Sequence, residues 1–271
     1  MHIVDRNRAM KQFLSFVEYY DTDDAMIERK RAHTVRVASI ADKIATAMHV
    51  SETDRDLIWL CGLLHDFGRF EQATQYGTYN DAASTNHAVV SAEVLFHGLV
   101  GDRCDIRQYI DSSEYDSSIE TAIASHNARE IPSELSGLDY LLTSVLMDAD
   151  KIDNINMMSY KTTDEVCEES REDVLASEFS DVAMNAFMQH RTLDNKLERE
   201  TPADKVLSKL AFIFALYNQE SFDVLLSYDK INMILDSPYT LDISKFNDAA
   251  QATWKKATDE IRKYISERTD R

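Results

Sequence analysis

Apolar residues recur at three- and four-residue intervals along most of the chain, which is the spacing of amphipathic α-helices. The stretch after Met10 is typical, with Phe13, Leu14, Phe16 and Val17 on one helical face. A helix-start pattern at 51–54, with Ser followed by acidic residues, opens another such stretch. This spacing predicts an all-α fold with helical segments at 10–17, 24–49, 51–66, 87–96, 106–110, 119–126, 138–158, 173–190, 204–228 and 244–268.

One stretch departs from the helical pattern. Residues 71–86 are polar and contain the turn-forming residues Gly77 and Asn80 together with Tyr76 and Tyr79. This composition disfavours a buried helix. We therefore predict an irregular connection here, and its tyrosines make it a candidate lid over a substrate site.

The amino-acid composition is that of an ordinary globular protein and favours helices over sheets. The chain has 271 residues, of which 44% are hydrophobic and 28% are charged, and it contains only 6 Gly and 3 Pro. So few turn-forming residues disfavour a β-sandwich or barrel. The length allows one large domain, and no internal repeat divides it. We predict that residues 1–271 form a single all-helical unit.

Charge and cysteine content narrow the partners and the compartment. The formal net charge is −19, which repels the phosphate backbone of nucleic acids. The three cysteines show no CxxC spacing, and an odd count is typical of a reducing compartment. The first residues lack the apolar region of a signal peptide, and no stretch is apolar enough to span a bilayer. We expect a cytoplasmic protein that binds neither nucleic acid nor membrane.

The adjacent pair His65-Asp66 is the first candidate for chemistry, because it follows a strongly apolar helix. A buried aspartate and imidazole are costly unless they pair with each other or bind a cation. The simpler interpretation is a hydrogen bond that joins two helices. The pair does not stand alone, since other helical segments each contribute one further ligand-type residue: His33, His87, His126 and Asp150.

The order of these residues resembles the signature of the HD superfamily of metal-dependent phosphohydrolases. The resemblance covers about residues 25–160 and is most specific at His65-Asp-Phe-Gly-Arg69 and at Asp148-Ala-Asp150-Lys151. More narrowly, the chain is similar to bacterial HD proteins of unassigned substrate. The resemblance implies an HD-type helical bundle over 25–160. Residues 161–271 would then form additional C-terminal helices that close one side of the pocket or provide the face of a homo-oligomer.

The resemblance also implies a ligand set. His33, His65, Asp66 and Asp150 would hold one metal, while His87 and His126 match the extra histidines of two-metal branches, with Asp66 bridging the ions. Imidazole and carboxylate ligands together favour Mn, Fe, Co, Ni or Zn over Mg or Ca. A hydroxide held by the metal would be the nucleophile, so we expect one or two divalent transition-metal ions and a direct role for Asp66.

Two basic residues are candidates for contact with phosphate. Arg69 lies three residues after Asp66 and would stabilise charge on the phosphoryl oxygens, so we predict a catalytic and substrate-binding role. The alternative for Arg69 is a salt bridge with Glu71 or Asp81. Lys151 would add a second substrate contact, and its alternative is a solvated charge on a helix.

The leading functional hypothesis is a hydrolase that cleaves a phosphomonoester or phosphoanhydride of a small, nucleotide-like phosphorylated metabolite. The sequence after His126 lacks the Gly-Tyr-Pro motif of cyclic dinucleotide phosphodiesterases, which disfavours that branch. Two alternatives stay open. One is a di-iron oxygenase of the inositol oxygenase-like HD branch, and the other is a non-catalytic scaffold stabilised by metal.

Overall fold

The computed structural model describes residues 2–194 and 196–269, and every regular element in these ranges is helical. The all-α prediction is confirmed. Short 3-10 helices lie at Asp81–Ala83, Gly101–Arg103, Ile106–Gln108, Ala211–Ala215, Pro238–Thr240 and Ile243–Lys245. The α-helices are α1 (Arg6–Val17), α2 (Ala25–Ala47), α3 (Glu52–Leu64), α4 (Phe67–Tyr76), α5 (His87–Phe96), α6 (Asp116–Ser125), α7 (Gly137–Met157), α8 (Thr163–Cys167), α9 (Arg171–Ala176), α10 (Asp181–Met188), α11 (Pro202–Leu210), α12 (Gln219–Ser227), α13 (Ile231–Asp236) and α14 (Asp248–Thr269).

Local capping explains where the first helices begin. The side chains of Asp5, Asp24 and Ser51 precede α1, α2 and α3, and each accepts a hydrogen bond from a backbone N–H in the first turn. Such caps satisfy donors that have no partner within the helix. The helix-start pattern at 51–54 therefore forms the cap that the sequence predicts.

The prediction of an irregular connection over 71–86 is wrong for its first part, because α4 continues to Tyr76. Gln72 is polar but fully buried, and its Nε2 donates to Asp81 Oδ1, Ser84 Oγ and the Thr85 carbonyl. These hydrogen bonds satisfy a polar side chain inside the helix packing. The irregular part begins at Gly77, whose φ of 63° ends the helix in the left-handed region.

Two of the long helices predicted in the C-terminal half are divided in the structure. The segment 173–190 contains α9 and α10, and Ser180 caps the second of these. The segment 204–228 contains α11, a 3-10 turn and α12. Helical spacing of apolar residues persists across these breaks, so the period by itself did not reveal them.

Close backbone approach around two glycines positions the α3–α4 junction. A Cβ on Gly62 would lie 2.8 Å from the Ala38 Cα, so α3 packs tightly against α2. A Cβ on Gly68 would lie 2.3 Å from the His87 carbonyl oxygen, so α4 begins in direct contact with α5. Phe67 then stacks on Phe16, with ring centroids 4.5 Å apart. The residues between α3 and α4 are therefore fixed on several sides.

The chain divides into two compact units. The first contains the residues up to 153 together with 217–224, and the second contains 154–216 and the residues from 225 onward. In the first unit, the buried Asp148 carboxylate accepts from the backbone N–H groups of Tyr217 and Asn218 at 2.9 and 3.0 Å. In the second, Trp254 Nε1 donates to the Leu235 carbonyl. The single helical unit over 1–271, and the boundary near residue 160 between the HD bundle and the C-terminal helices, stay predictions.

Neither a membrane-spanning helix nor a disulfide bond occurs among the residues that the structure describes. Within the described ranges, no helix combines the length and apolar character needed to cross a bilayer. Cys61, Cys104 and Cys167 are buried and free.

Candidate metal centre

Six side chains from separate helices and helix ends meet in the first unit. Asp66 lies between α3 and α4, and the others lie in or next to α2, α3, α5, α6 and α7. Five of them are at most 5% exposed, while the Asp150 side chain is 27% exposed. The structure thus brings together all six residues predicted as metal ligands: His33, His65, Asp66, His87, His126 and Asp150.

Asp66 is at the centre of this cluster. Its Oδ2 lies 3.4 Å from Nε2 of both His33 and His65. Its Oδ1 lies 3.5 Å from Nε2 of His87 and 3.8 Å from Nε2 of His126. The cluster therefore has two halves that share one carboxylate, and each half brings its ligand atoms within 4.8 Å of one another.

Asp150 joins the first half at its exposed edge. Its Oδ1 lies 3.1 Å from Nε2 of His33, on the side of the cluster that solvent reaches. We refer to His33, His65, Asp66 and Asp150 as the first position, and to Asp66, His87 and His126 as the second position.

The four imidazoles are oriented by the same kind of contact. Each Nδ1 lies within hydrogen-bond distance of an oxygen that only accepts, so Nδ1 carries the proton and the Nε2 lone pair of the neutral ring faces the cluster. This is how proteins hold metal-ligating histidines. The Nδ1 distances are 2.6 Å to Asp153 Oδ2 for His33, 2.9 Å to the Gly62 carbonyl for His65, 2.6 Å to Asp81 Oδ2 for His87 and 2.7 Å to the Ile123 carbonyl for His126.

The inner nitrogen atoms lack good partners among the described residues. Nε2 of His33 and Nε2 of His65 are buried without a hydrogen bond, since their approaches to carboxylates lack hydrogen-bond geometry. Nε2 of His87 faces Nε2 of His126 at 3.2 Å, so in the neutral rings two lone pairs oppose each other. Unsatisfied buried polar atoms are costly, and a divalent cation would relieve all four. The residues therefore fit a transition-metal site.

Electrostatics differ between the two halves. Burial and Lys30 lower the pKa of His33, but Asp150, Asp153 and Asp66 outweigh them and raise that pKa to about 10. The first position thus attracts positive charge. Burial, followed by the charges of His65 and His87, lowers the pKa of His126 to about 3. The second position therefore presents neutral imidazole at physiological pH.

Sequence reasoning missed three charged residues of the site. Lys30 donates to Asp66 Oδ2 at 2.7 Å, while Asp153 and Asp81 accept from His33 and His87. Lys30 precedes His33 by three residues, and Asp153 follows Asp150 by three, so helical spacing would have identified both. The sequence indicates Asp81 only as an alternative partner of Arg69, and helical spacing does not connect it to His87.

Arg69 makes the salt bridge that was its alternative interpretation. Its Nη1 donates to Gln72 Oε1, the Tyr79 carbonyl and Asp81 Oδ1 at 2.6, 2.7 and 2.9 Å. Its Nε lies 3.7 Å from Asp66 Oδ1 and is buried without a hydrogen bond in the described structure. One edge of the guanidinium is thus engaged while another faces the cluster, and the catalytic role stays a prediction.

Lys151 is buried, so it is not a solvated helix charge. Its Nζ lies 5.0 Å from the centroid of the Tyr217 ring. Burial lowers its pKa, while Asp148 and Asp150 act in the opposite direction. Its contact with substrate stays a prediction.

Comparison with known proteins agrees with this geometry. Residues 31–155 match the HD domain family, and all six residues of the cluster lie within the match. Curated proteins and solved structures gave no significant match to the chain. HD domain proteins bind divalent metals, and the buried histidines and aspartates fit that role. Residues 31–155 are therefore similar to the HD domain family, whose members are generally metal-dependent phosphohydrolases.

Proposed function

We propose that this protein is a metal-dependent phosphohydrolase that cleaves a phosphomonoester or phosphoanhydride bond of a small, nucleotide-like metabolite. The observation that supports this most directly is the sharing of Asp66 by two groups of imidazoles whose Nδ1 atoms are all engaged. Such an arrangement favours two ions, chosen among Mn, Fe, Co, Ni and Zn. When bound, divalent ions lower the pKa of a water molecule and offset charge on a phosphoryl group.

The cations beside Asp66 support a phosphorylated substrate. Lys30 and Arg69 approach opposite oxygens of this carboxylate, and both lie within 5.5 Å of the centroid of the Tyr79 ring. Arg29 lies 5.2 Å from the same ring. Lys30 and Arg69 thus place two cations at Asp66, and Arg29 adds a third beside Tyr79, in a chain whose net charge is −19. A local positive field of this kind attracts anionic metabolites.

The contacts of these residues indicate what each of them would bind in the metal-loaded protein. Asp66 would be committed to metal, so Lys30 and the free edge of Arg69 would turn to the phosphoryl oxygens of the substrate. Arginine and lysine stabilise the charge that develops on those oxygens during transfer. Burial of the cluster strengthens such contacts, because water screens them less.

A di-iron oxygenase is the second candidate, since four imidazoles and a shared carboxylate also suit iron. A metal-stabilised scaffold is a weaker one. A structural site needs only a closed set of four ligands, whereas this cluster offers six residues with one edge exposed. These candidates predict different results in one experiment.

The test is elemental analysis of the purified protein, followed by a phosphate-release screen over nucleotides and sugar phosphates with Mn, Co, Ni and Fe. We expect about two metal equivalents, about one in His87→Ala, and phosphate release that His65→Ala and Asp66→Asn abolish. His97→Ala is the matched control, because His97 is exposed and contacts Glu120 outside the cluster.

Three results would contradict the hydrolase. Phosphate release that persists in folded His65→Ala and Asp66→Asn would place the activity elsewhere. Two irons with oxygen consumption on a polyol or phosphonate, and no phosphate release from esters, would favour the oxygenase. Absence of bound metal after reconstitution would favour the scaffold.

A further inference from the structure

The two positions of the cluster are held by carboxylates in very different surroundings. Asp153 holds His33 of the first position, and its side chain is 2% exposed. Asp81 holds His87 of the second position, and its side chain is 31% exposed. This contrast suggests that the two positions are controlled separately.

Asp153 is rigidly placed. It lies within α7, a helix of 21 residues, and both of its oxygens are occupied. Arg36 Nε donates to Oδ1 at 2.7 Å, and Arg36 Nη2 donates to Oδ2 at 2.9 Å beside the contact from His33. Helix backbone and a bidentate guanidinium thus fix the partner of His33.

Asp81 gathers its contacts from a loop. It begins the 3-10 turn Asp81–Ala83 and lies between Gly77 and α5. It accepts four hydrogen bonds, two on each oxygen, which is about what a carboxylate can accept. The donors are Arg69 Nη1 and Gln72 Nε2 to Oδ1, both at 2.9 Å, and His87 Nδ1 and Asn127 Nδ2 to Oδ2, at 2.6 and 3.1 Å.

These donors connect Asp81 to both histidines of the second position. His87 is bound directly, and Asn127 is the residue after His126. The loop itself is attached by side chains, since the Tyr79 hydroxyl donates to the Met26 carbonyl at 2.7 Å. A rearrangement of this loop would therefore act directly on the partner of His87, whereas the partner of His33 lies on α7.

We infer that Asp81 is a positioning residue for the second metal position, which is the weaker of the two and is set by the loop at 77–86. The inference rests on the proposed two-metal site. Its physical basis is that a partner on a loop, partly exposed to water, orients a ligand less firmly than a buried partner on a long helix.

The test is titration of the metal-free, full-length protein with Co²⁺ against a competing chelator, followed by the visible spectrum of bound cobalt. The wild-type protein should bind two equivalents in two resolved steps. Asp81→Asn keeps the side-chain size but replaces one acceptor oxygen with a donor. It should weaken the second step by roughly 10- to 100-fold, the range seen when partners of metal ligands are replaced, and leave the first within about twofold. Asp153→Asn should weaken the first step.

Glu93→Gln is the matched control, because Glu93 is an exposed acid on α5, the helix that begins with His87. Like Asp81→Asn, this substitution removes one negative charge near His87 in sequence, but it should leave both metal-binding steps unchanged. A fall in both steps of Asp81→Asn by the same factor would reduce Asp81 to a general structural role. Unchanged affinities in a folded Asp81→Asn would overturn the inference outright.

The titration separates this inference from the proposed function. Two steps in the wild-type protein that Asp81→Asn does not alter would sink only the role of Asp81. A single step in the wild-type protein, unaffected by Asp81→Asn, would overturn the inference and leave a mononuclear hydrolase. Absence of binding in the wild-type protein would contradict the proposed function as well.

Discussion

Lys30 supplies the positive charge nearest to Asp66. Its Nζ is 2.7 Å from Oδ2, and the two side chains are 16% and 2% exposed. Burial lowers the pKa of Lys30, while Asp66 opposes that effect. When no metal is present, the Lys30 ammonium thus offsets the negative charge of the buried Asp66 carboxylate. A metal at the first position would compete with Lys30 for the same oxygen.

Lys30→Met should therefore destabilise the metal-free protein more than the metal-loaded protein. Leaving Asp66 without its partner should cost about 3 kcal/mol in chelator, and added Mn²⁺ should remove most of that loss. Urea unfolding with and without metal measures the difference. Arg31→Met is the control, since Arg31 pairs with Glu28 away from the cluster. An equal loss in both conditions would mean that the Lys30–Asp66 pair does not compete with metal.

A second carboxylate gives a pH dependence that does not involve the cluster. Asp42 of α2 accepts from Arg6 of α1 and Arg55 of α3, at 2.7 Å each. Burial alone would raise the pKa of Asp42, but the two guanidinium groups outweigh it and lower that pKa. Its folded pKa thus lies below the unfolded value. The contribution to stability is therefore present above about pH 4 and lost as the pH falls further.

Asp42→Asn should lower the free energy of unfolding by about 1 kcal/mol at pH 7, the size expected for a partly exposed network. The difference from the wild-type protein should shrink as the pH falls below about 4, because the contribution of the Asp42 carboxylate is lost as the pH falls through its lowered folded pKa. Denaturant unfolding across this range is the measurement, with the exposed Asp102→Asn as control. A difference that stays constant with pH would show that the carboxylate charge is not involved.

At the scale of elements, the site depends on the approach of α4 to α5. Gly68 lets the start of α4 contact the first turn of α5, where His87 is the first residue. Gly68 N also donates to Ser91 Oγ at 2.8 Å. The spacing between these helices therefore sets the distance between Asp66 and His87. The motif His65-Asp-Phe-Gly-Arg69 thus contains a packing residue as well as ligands.

Gly68→Ala should separate the two helices. The added Cβ would meet backbone atoms, which cannot move independently, so we expect a loss of about 3 kcal/mol and weaker metal binding at the second position. Gly98→Ala is the control. Its Cβ would enter open space and would cost only about 1–2 kcal/mol through its positive φ. Thermal unfolding and metal titration test both variants. Equal losses in the two, with metal binding intact, would contradict the packing argument.

At the scale of the whole molecule, all ligand-type residues of the cluster belong to the first compact unit. A ligand stabilises the state that binds it by about 2.7 kcal/mol when its concentration is 100 times its Kd. Metal should therefore protect the first unit from local opening more than the second. The acidic charge of the chain adds a general attraction for cations, which controls must separate from specific binding.

Hydrogen exchange with and without Mn²⁺ tests this expectation. Amides of α2, α3 and the segment at 87–96 should exchange more slowly with metal, while amides of α14 should not change. The same measurement on His65→Ala, which lacks a residue of the first position, should show weaker protection of α2 and α3 and again no change in α14. Equal protection of α14 and α3 in the wild-type protein would indicate a general effect of ions on the chain.

The helical class and the six residues that meet in the cluster could both be predicted from the sequence. Apolar residues spaced by three and four positions indicate an amphipathic α-helix. The order of the histidines and aspartates along the chain resembles the HD signature, and this order can be recognised without knowing how the helices pack. Helical spacing even contains Lys30 and Asp153, one turn from His33 and Asp150. These features depend on residues that are close together along the chain, so they can be predicted without the tertiary structure.

The way the histidines of the cluster are held depends on contacts that exist only in the folded structure. The contact between Asp81 and His87 is made across a loop that has no helical period. Gln72 can be buried within α4 because it donates hydrogen bonds to residues that lie beyond Gly77. The break within 173–190 coincides with the Ser180 cap, and the break within 204–228 contains a 3-10 turn; the apolar period detects neither. Contacts between residues distant along the chain fix which Nε2 atoms face Asp66, because orientation depends on partners that local sequence does not specify.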